Sequence, residues 1–123
     1  MDSHGKILTV APVSFFSCPA EGTRLRSDRD AVDLIGEAHG SDLIVIPAAR
    51  LDDDFFRLRT GVAGAFLQKF VMYHKRIAIL GDISRQLEES SALRDFVVEA
   101  NRGDHVWFVD SIEDLERRLR ILE

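Results

Sequence analysis

Polar side chains able to do chemistry concentrate between Phe55 and Ser84, in FFRLRTGVAGAFLQKFVMYHKRIAILGDIS. Arg59 and Thr60 stand where a helix is expected to begin, and an arginine fork beside unpaired helix N–H groups complements phosphate or carboxylate. Arg59 is equally able to pair inside the fold with Asp52, Asp53, Asp54 or Asp82, and Thr60 to serve as an ordinary helix cap instead of a reactive hydroxyl. Asp82 and Ser84 follow an apolar strand, a position that holds ligands in open sheets, while Asp82 also suits an Asx turn that ties down loop amides. General acid–base catalysis needs a second titratable group beside Asp82, and no spacing supplies one. No catalytic residue is assigned. Phosphorylation of Thr60 or Ser84 stands as a third reading of these hydroxyls.

Other chemistries find less support. Gly61 and Gly64 form a G-x-x-G pair, without the further glycines of a nucleotide loop or the Lys-Ser/Thr of a Walker A motif. Small residues at Gly61, Ala63, Gly64 and Ala65 more simply let a helix approach its neighbour closely. His4, His39, His74 and His105 have no metal-ligand spacing and Cys18 has no partner cysteine, so no metal and no cofactor is expected. The outer side of the helix is less ordinary, because Gly61, Ala65, Gln68 and Met72 project together at steps of three or four residues and carry no charge. Water-facing helix sides are normally charged, so this strip is expected to be covered by a protein partner or a second subunit, or else by the segment Asp52 to Leu58. The candidate ligand- or partner-binding set is thus Arg59, Thr60, Gly61, Gln68, Met72, Asp82 and Ser84.

The elements that position these residues follow from periodicity. Lys6 to Val10 and Ser14 to Cys18 read as short strands joined through Ala11, Pro12 and Val13 in a hairpin, with Pro19 ending the second. Ser27-Asp28-Arg29-Asp30 caps a helix whose stripe is Ala31, Leu34, Ile35 and Ala38, ending at Gly40. Leu43 to Ile46, Ile77 to Leu80 and Val106 to Val109 are continuous apolar runs, the mark of strands covered on both faces. Asp52-Asp53-Asp54 leads into a single turn at Phe55-Phe56, with acids compensating the helix dipole and no need for calcium. Thr60 is read as the cap of a helix carrying Ala63, Phe66, Leu67 and Phe70 to about Tyr73. Ser90 or Ser91 caps the next, with Leu93, Phe96, Val97 and Ala100 inward and Gly103 as a left-handed stop. Ser111 opens the last, through Leu115, Leu119 and Leu122. The order ββαβαβαβα predicts an α/β fold, a mostly parallel five-stranded sheet with one antiparallel edge strand. Ligands are then expected at the loops Pro47 to Thr60, Gly81 to Ser91 and Asp110 to Ser111.

Composition bounds the functions. The 123 residues, 46% hydrophobic and 30% charged, suit a single domain over 1–123 that buries about two-thirds of its unfolded surface. The net charge of −5, with basic residues dispersed, removes the basis for nucleic-acid binding, and Arg117, Arg118 and Arg120 read as a solvated helix face. No apolar run approaches the length of a membrane helix, so no membrane partner is expected. The start MDSHGKILTV lacks the apolar core of a secretory signal, and a lone Cys18 excludes an internal disulfide, so the expected compartment is the cytoplasm.

The segments Phe55-Phe56-Arg57-Leu58-Arg59-Thr60-Gly61, Ala63-Gly64, Leu67-Gln68-Lys69-Phe70, Gly81-Asp82 and Asn101-Arg102-Gly103 resemble domain-of-unknown-function family 4180, over roughly Asp28 to Val109. The element order also resembles STAS domains, the fold of bacterial anti-sigma factor antagonists, whose second helix opens on Asp-Ser-Ser-Gly with a regulatory phosphoserine. Here Leu58-Arg59-Thr60-Gly61 aligns with that motif, with Arg59 at the phosphorylated position and Thr60 at the second serine. An arginine cannot accept a phosphoryl group. The resemblance therefore implies the architecture and a partner-binding surface at this helix start, without the switch. The expected function is a non-catalytic, STAS-like regulatory or protein-binding module, with a protein partner or homodimer. The alternative is a sensor or enzyme for a small anionic ligand, with Arg59 as clamp and Asp82 as base or orienter.

Overall fold

The computed structural model describes residues 6–10, 13–38 and 40–121, with only the backbone described for 6–10, 13, 14 and 121. The readings made of His4, Ala11, Pro12, His39 and Leu122 lie outside the described residues. Strands β2 (Val13–Ser17), β3 (Leu43–Pro47), β4 (Arg76–Leu80) and β5 (Val106–Val109) form a parallel sheet in sequential order. The backbone of β1 (Lys6–Val10) runs antiparallel along β2, from Lys6 opposite Ser17 to Val10 opposite Val13. Six α-helices complete the described chain: α1 (Asp28–Glu37), α2 (Asp53–Phe56), α3 (Val62–Met72), α4 (Ser84–Glu89), α5 (Ser91–Arg102) and α6 (Ile112–Ile121).

Strand side chains alternate between the faces of the sheet. Phe16, Ile44, Ile46, Ile77, Ile79 and Phe108 share one buried cluster with Ala31, Leu34 and Ile35 of α1, Phe66, Leu67 and Phe70 of α3, and Leu93 of α5. Phe15, Leu43, Val45, Ala78, Trp107 and Val109 point the other way and pack with Leu115 and Leu119 of α6. A sequential strand order with crossovers of one hand places every crossover helix on the same face, which is why α1, α3 and α5 lie together. The three apolar runs are buried on both sides because of this arrangement.

Several expectations need correction. The second strand ends at Ser17, so Cys18 lies beyond it, although its N–H still donates to the Val45 carbonyl at 2.9 Å. Residues 84–89, expected as loop, form α4. Thr60 belongs to a 3-10 turn, Leu58–Thr60, and the residue preceding α3 is Gly61, whose φ of 79° is left-handed and suits glycine. Gly103 is extended at φ −88°, ψ −169°, not a left-handed stop, and its carbonyl accepts the Trp107 indole N–H at 2.8 Å. The left-handed residue after α3 is instead His74, with Lys75 N–H bonding the Phe70 carbonyl at 2.8 Å as in a Schellman end. Arg118 is not part of a solvated face: its guanidinium stacks on Trp107, 4.7 Å from the ring centroid, and donates to the Asn101 carbonyl at 2.7 Å.

The capping readings hold elsewhere. Ser27 accepts from Asp30 N–H at 3.1 Å while Asp30 accepts from Ser27 N–H at 3.1 Å, a reciprocal capping box for α1. Ser90 caps α5 through Leu93 N–H at 3.1 Å, and Ser111 accepts from Asp114 N–H at 3.2 Å.

Candidate functional site

The segment after β3 is folded tightly by its own acids. Asp52 accepts from Asp54 N–H at 3.0 Å and starts α2, which buries Phe55 and Phe56. Phe55 meets Phe56 and Phe66 edge-on, with centroids 5.3 and 5.8 Å apart, so α2 is fastened to α3 through aromatic contacts. The Thr60 hydroxyl lies 2.8 Å from both the Asp54 and Arg57 carbonyls, either of which it can donate to, and accepts from Val62 N–H at 3.2 Å. It thus ties the end of α2 to the start of α3.

Acidic partners expected for Arg59 are occupied by other arginines. Asp53 pairs with Arg24 at 3.5 Å, and Asp54 with Arg26 at 3.0 Å and Arg57 at 3.3 Å, while Asp52 lies 4.0 Å from Arg26. Asp82 turns to its own loop and accepts from Ser84 N–H at 2.9 Å, which makes it the Asx-type start of α4. Among the described residues Arg59 makes no ion pair and no side-chain hydrogen bond. It is exposed and lines an open pocket of about 560 Å³ between the 53–59 segment and the α4–α5 junction, beyond the carboxyl ends of β3 and β4. Arg57 and Arg85 line it too, with Gln86 and Ser90 as neutral polar groups.

Sequence reasoning found Arg59 but missed Arg85, and it placed Asp82 and Ser84 in the site although neither lines the pocket. A signal was present: Asp82 followed by Ser84-Arg85-Gln86-Leu87 is a helix start, and a helix there brings Arg85 to the sheet's carboxyl end. Gly81 permits the turn, with φ 139° and space for no side chain without pressing on Ala48, whose Cβ would be 3.3 Å away. Gln68 and Met72 lie elsewhere, since α3 climbs roughly 15 Å from Val62 to Met72. Together with Gly61 and Ala65 they are exposed, and Val71, Met72 and Tyr73 are 46%, 57% and 51% exposed. The Asp52 to Leu58 segment does not cover this strip. Among the described residues no group of three His, Cys, Asp or Glu side chains is placed to hold a metal ion. No helix among them is long and apolar enough to cross a membrane.

Three carboxylates are held below the ordinary value of 3.8. The Arg26 hydrogen bond is the main cause at Asp54, and the Ser84 N–H at Asp82. At Asp30 burial pushes upward, but the N–H groups of Arg26 and Ser27 outweigh it. A lowered folded pKa contributes stability that is complete above the unfolded value and is lost as pH falls through the folded one. Acid unfolding should therefore steepen below about pH 4. Asp54→Asn should be less stable at neutral pH and lose less on acidification, which urea midpoints measured at both pH values would check; parallel curves for wild type and variant would refute it.

Neither a curated protein nor a solved structure matches the chain. A family model does match, and it spans residues 11–119, from ahead of β2 to the last turn of α6 and so across both the pocket and the α3 strip. The chain belongs to the family described as Domain of unknown function (DUF4180).

Proposed function

We propose that this protein is a non-catalytic regulatory or protein-binding module of STAS-like type, with five strands and an antiparallel edge, working in the cytoplasm, and that it meets a protein partner or a second copy through the outer side of α3. One observation carries this reading: Ala65, Gln68, Val71 and Met72 form an exposed helix face without charge, and Met72 is 57% exposed. Solvated helix faces carry charges that compete for water, and a face without them loses little on being covered. Gly61 and Gly64 add close access for a partner's backbone at the helix start.

Met72→Glu tests the reading, since the position is exposed and a charge there costs the fold little. Wild type should assemble with itself in light scattering after size exclusion, or retain a protein from a lysate of its native host, and the variant should lose that association. A wild type that stays monomeric and captures the same proteins as Met72→Glu would refute it.

A second reading, a sensor or enzyme for a small anionic ligand, is favoured by the pocket that Arg59 lines together with Arg57 and Arg85. Asp82 has no part in it, being engaged by Ser84.

A further inference from the structure

We infer that the arginine-lined pocket takes a small phosphate monoester with a hydroxyl-bearing body, the phosphate between Arg59 and Arg85 and the body over Phe56, Leu58 and Ala92; this rests on the second, ligand-binding reading above. Arg57 is already held by Asp54 at 3.3 Å. Arg59 and Arg85 have no acidic partner among the described residues, yet they border one cavity. Two guanidinium groups carry two positive charges, which a single carboxylate balances only by half, whereas a phosphate monoester offers three terminal oxygens and close to two negative charges.

The rest of the lining defines the body. About 560 Å³ is far more than a bare phosphate fills and falls within the usual range for small-molecule sites. Phe56, Leu58 and Ala92 supply apolar surface that an inorganic ion would leave uncovered. Of the two acids in the lining, Asp53 is paired with Arg24 at 3.5 Å. Glu89, with no ion pair among the described residues, would repel a second anionic group and accept a hydroxyl instead. A sugar or nucleoside monophosphate meets all of these demands.

Calorimetric titration of the full chain with adenosine monophosphate, a hexose monophosphate, inorganic phosphate and citrate, at matched ionic strength, decides the matter. One monoester should bind about tenfold tighter than inorganic phosphate, and Arg59→Ala and Arg85→Ala should each weaken it about tenfold. Arg102→Ala, which removes a surface pair with Glu99, should leave binding unchanged. Thermal melts without ligand establish that each variant is folded. The response to adenosine monophosphate against the hexose ester identifies the body. Binding of both monoesters that is indifferent to Arg59 and Arg85 would overturn the inference. Arginine-dependent binding of citrate alone would overturn the phosphate assignment and keep the anion reading, while no arginine-dependent binding of any probe would remove both.

Discussion

Phe55→Ala should lower stability by about 3–5 kcal/mol and abolish the pocket with it. Phe55 is 1% exposed, and its ring stands edge-on to Phe56 at 5.3 Å and to Phe66 at 5.8 Å. Truncation removes the transfer energy of a large ring, leaves a cavity, and forfeits two edge-on contacts worth about 0.5–1.5 kcal/mol each. The four-residue α2 cannot hold itself together, since so short a helix is unstable without tertiary support. Its packing against α3 is what keeps Asp53, Phe56 and Arg57 at the pocket wall. The variant should melt on the order of 15 °C lower and lose anion binding even where it stays folded. Phe55→Leu keeps most of the apolar bulk and should cost about half as much or less. Val98→Ala, at a position 53% exposed, should fall within about 0.5 kcal/mol of wild type. Urea unfolding gives all three from midpoint and slope, and a loss below about 1 kcal/mol in Phe55→Ala would show that α2 is held by other means.

How far the sequence could be read depended on what encodes each element. Leu43–Ile46, Ile77–Leu80 and Val106–Val109 were legible because an unbroken apolar run of strand length must be buried on both faces. The stripes Ala31-Leu34-Ile35 and Ala63-Phe66-Leu67-Phe70 were legible for the same reason at helical spacing, and each of these residues is buried. Helix α4 was legible only at its start, through Asp82 ahead of Ser84-Arg85-Gln86-Leu87, since none of its six residues is buried and a helix without an apolar stripe has no periodic signal. Thr60 misled in part: its hydroxyl accepts from Val62 N–H at the start of α3, but it also lies against the carbonyls of Asp54 and Arg57, and Gly61 takes the entry turn. The pocket was half legible. Arg59 stood out beside a helix start, but the availability of its charge depends on Arg24, Arg26 and Arg57 engaging the nearby acids, and Arg85 arrives only through the unforeseen helix.

Asn101→Ala should cost about 2–3 kcal/mol and leave β5 open to association, an effect readable from Asn101 only once the sheet is known. Ile77 N–H bonds the His105 carbonyl at 3.0 Å and Gly81 N–H the Val109 carbonyl at 2.9 Å, so the odd-numbered residues of β5 face β4. Phe108, between them, directs its N–H and carbonyl to the outer edge of the sheet, where no strand follows among the described residues. The Asn101 side chain fills that role: its Oδ1 accepts from Phe108 N–H at 2.8 Å and its Nδ2 donates to the Phe108 carbonyl at 3.3 Å. Arg118 in turn donates to the Asn101 backbone carbonyl at 2.7 Å while lying against Trp107, so the end of α5 that carries the carboxamide is tied to α6. Only an amide offers donor and acceptor together at this spacing. Asn101→Asp keeps the acceptor but sets a carboxylate oxygen against the Phe108 carbonyl, and should be as damaging as alanine. An unpaired edge is a template for another strand, so both variants should also form larger species on size exclusion, more with rising concentration. Stability within about 0.5 kcal/mol of wild type, with an unchanged elution profile, would mean that water satisfies Phe108 as well as the amide does. The Asn101-Arg102-Gly103 segment therefore acts on architecture: its Asn101 closes the β5 edge of the parallel sheet at Phe108.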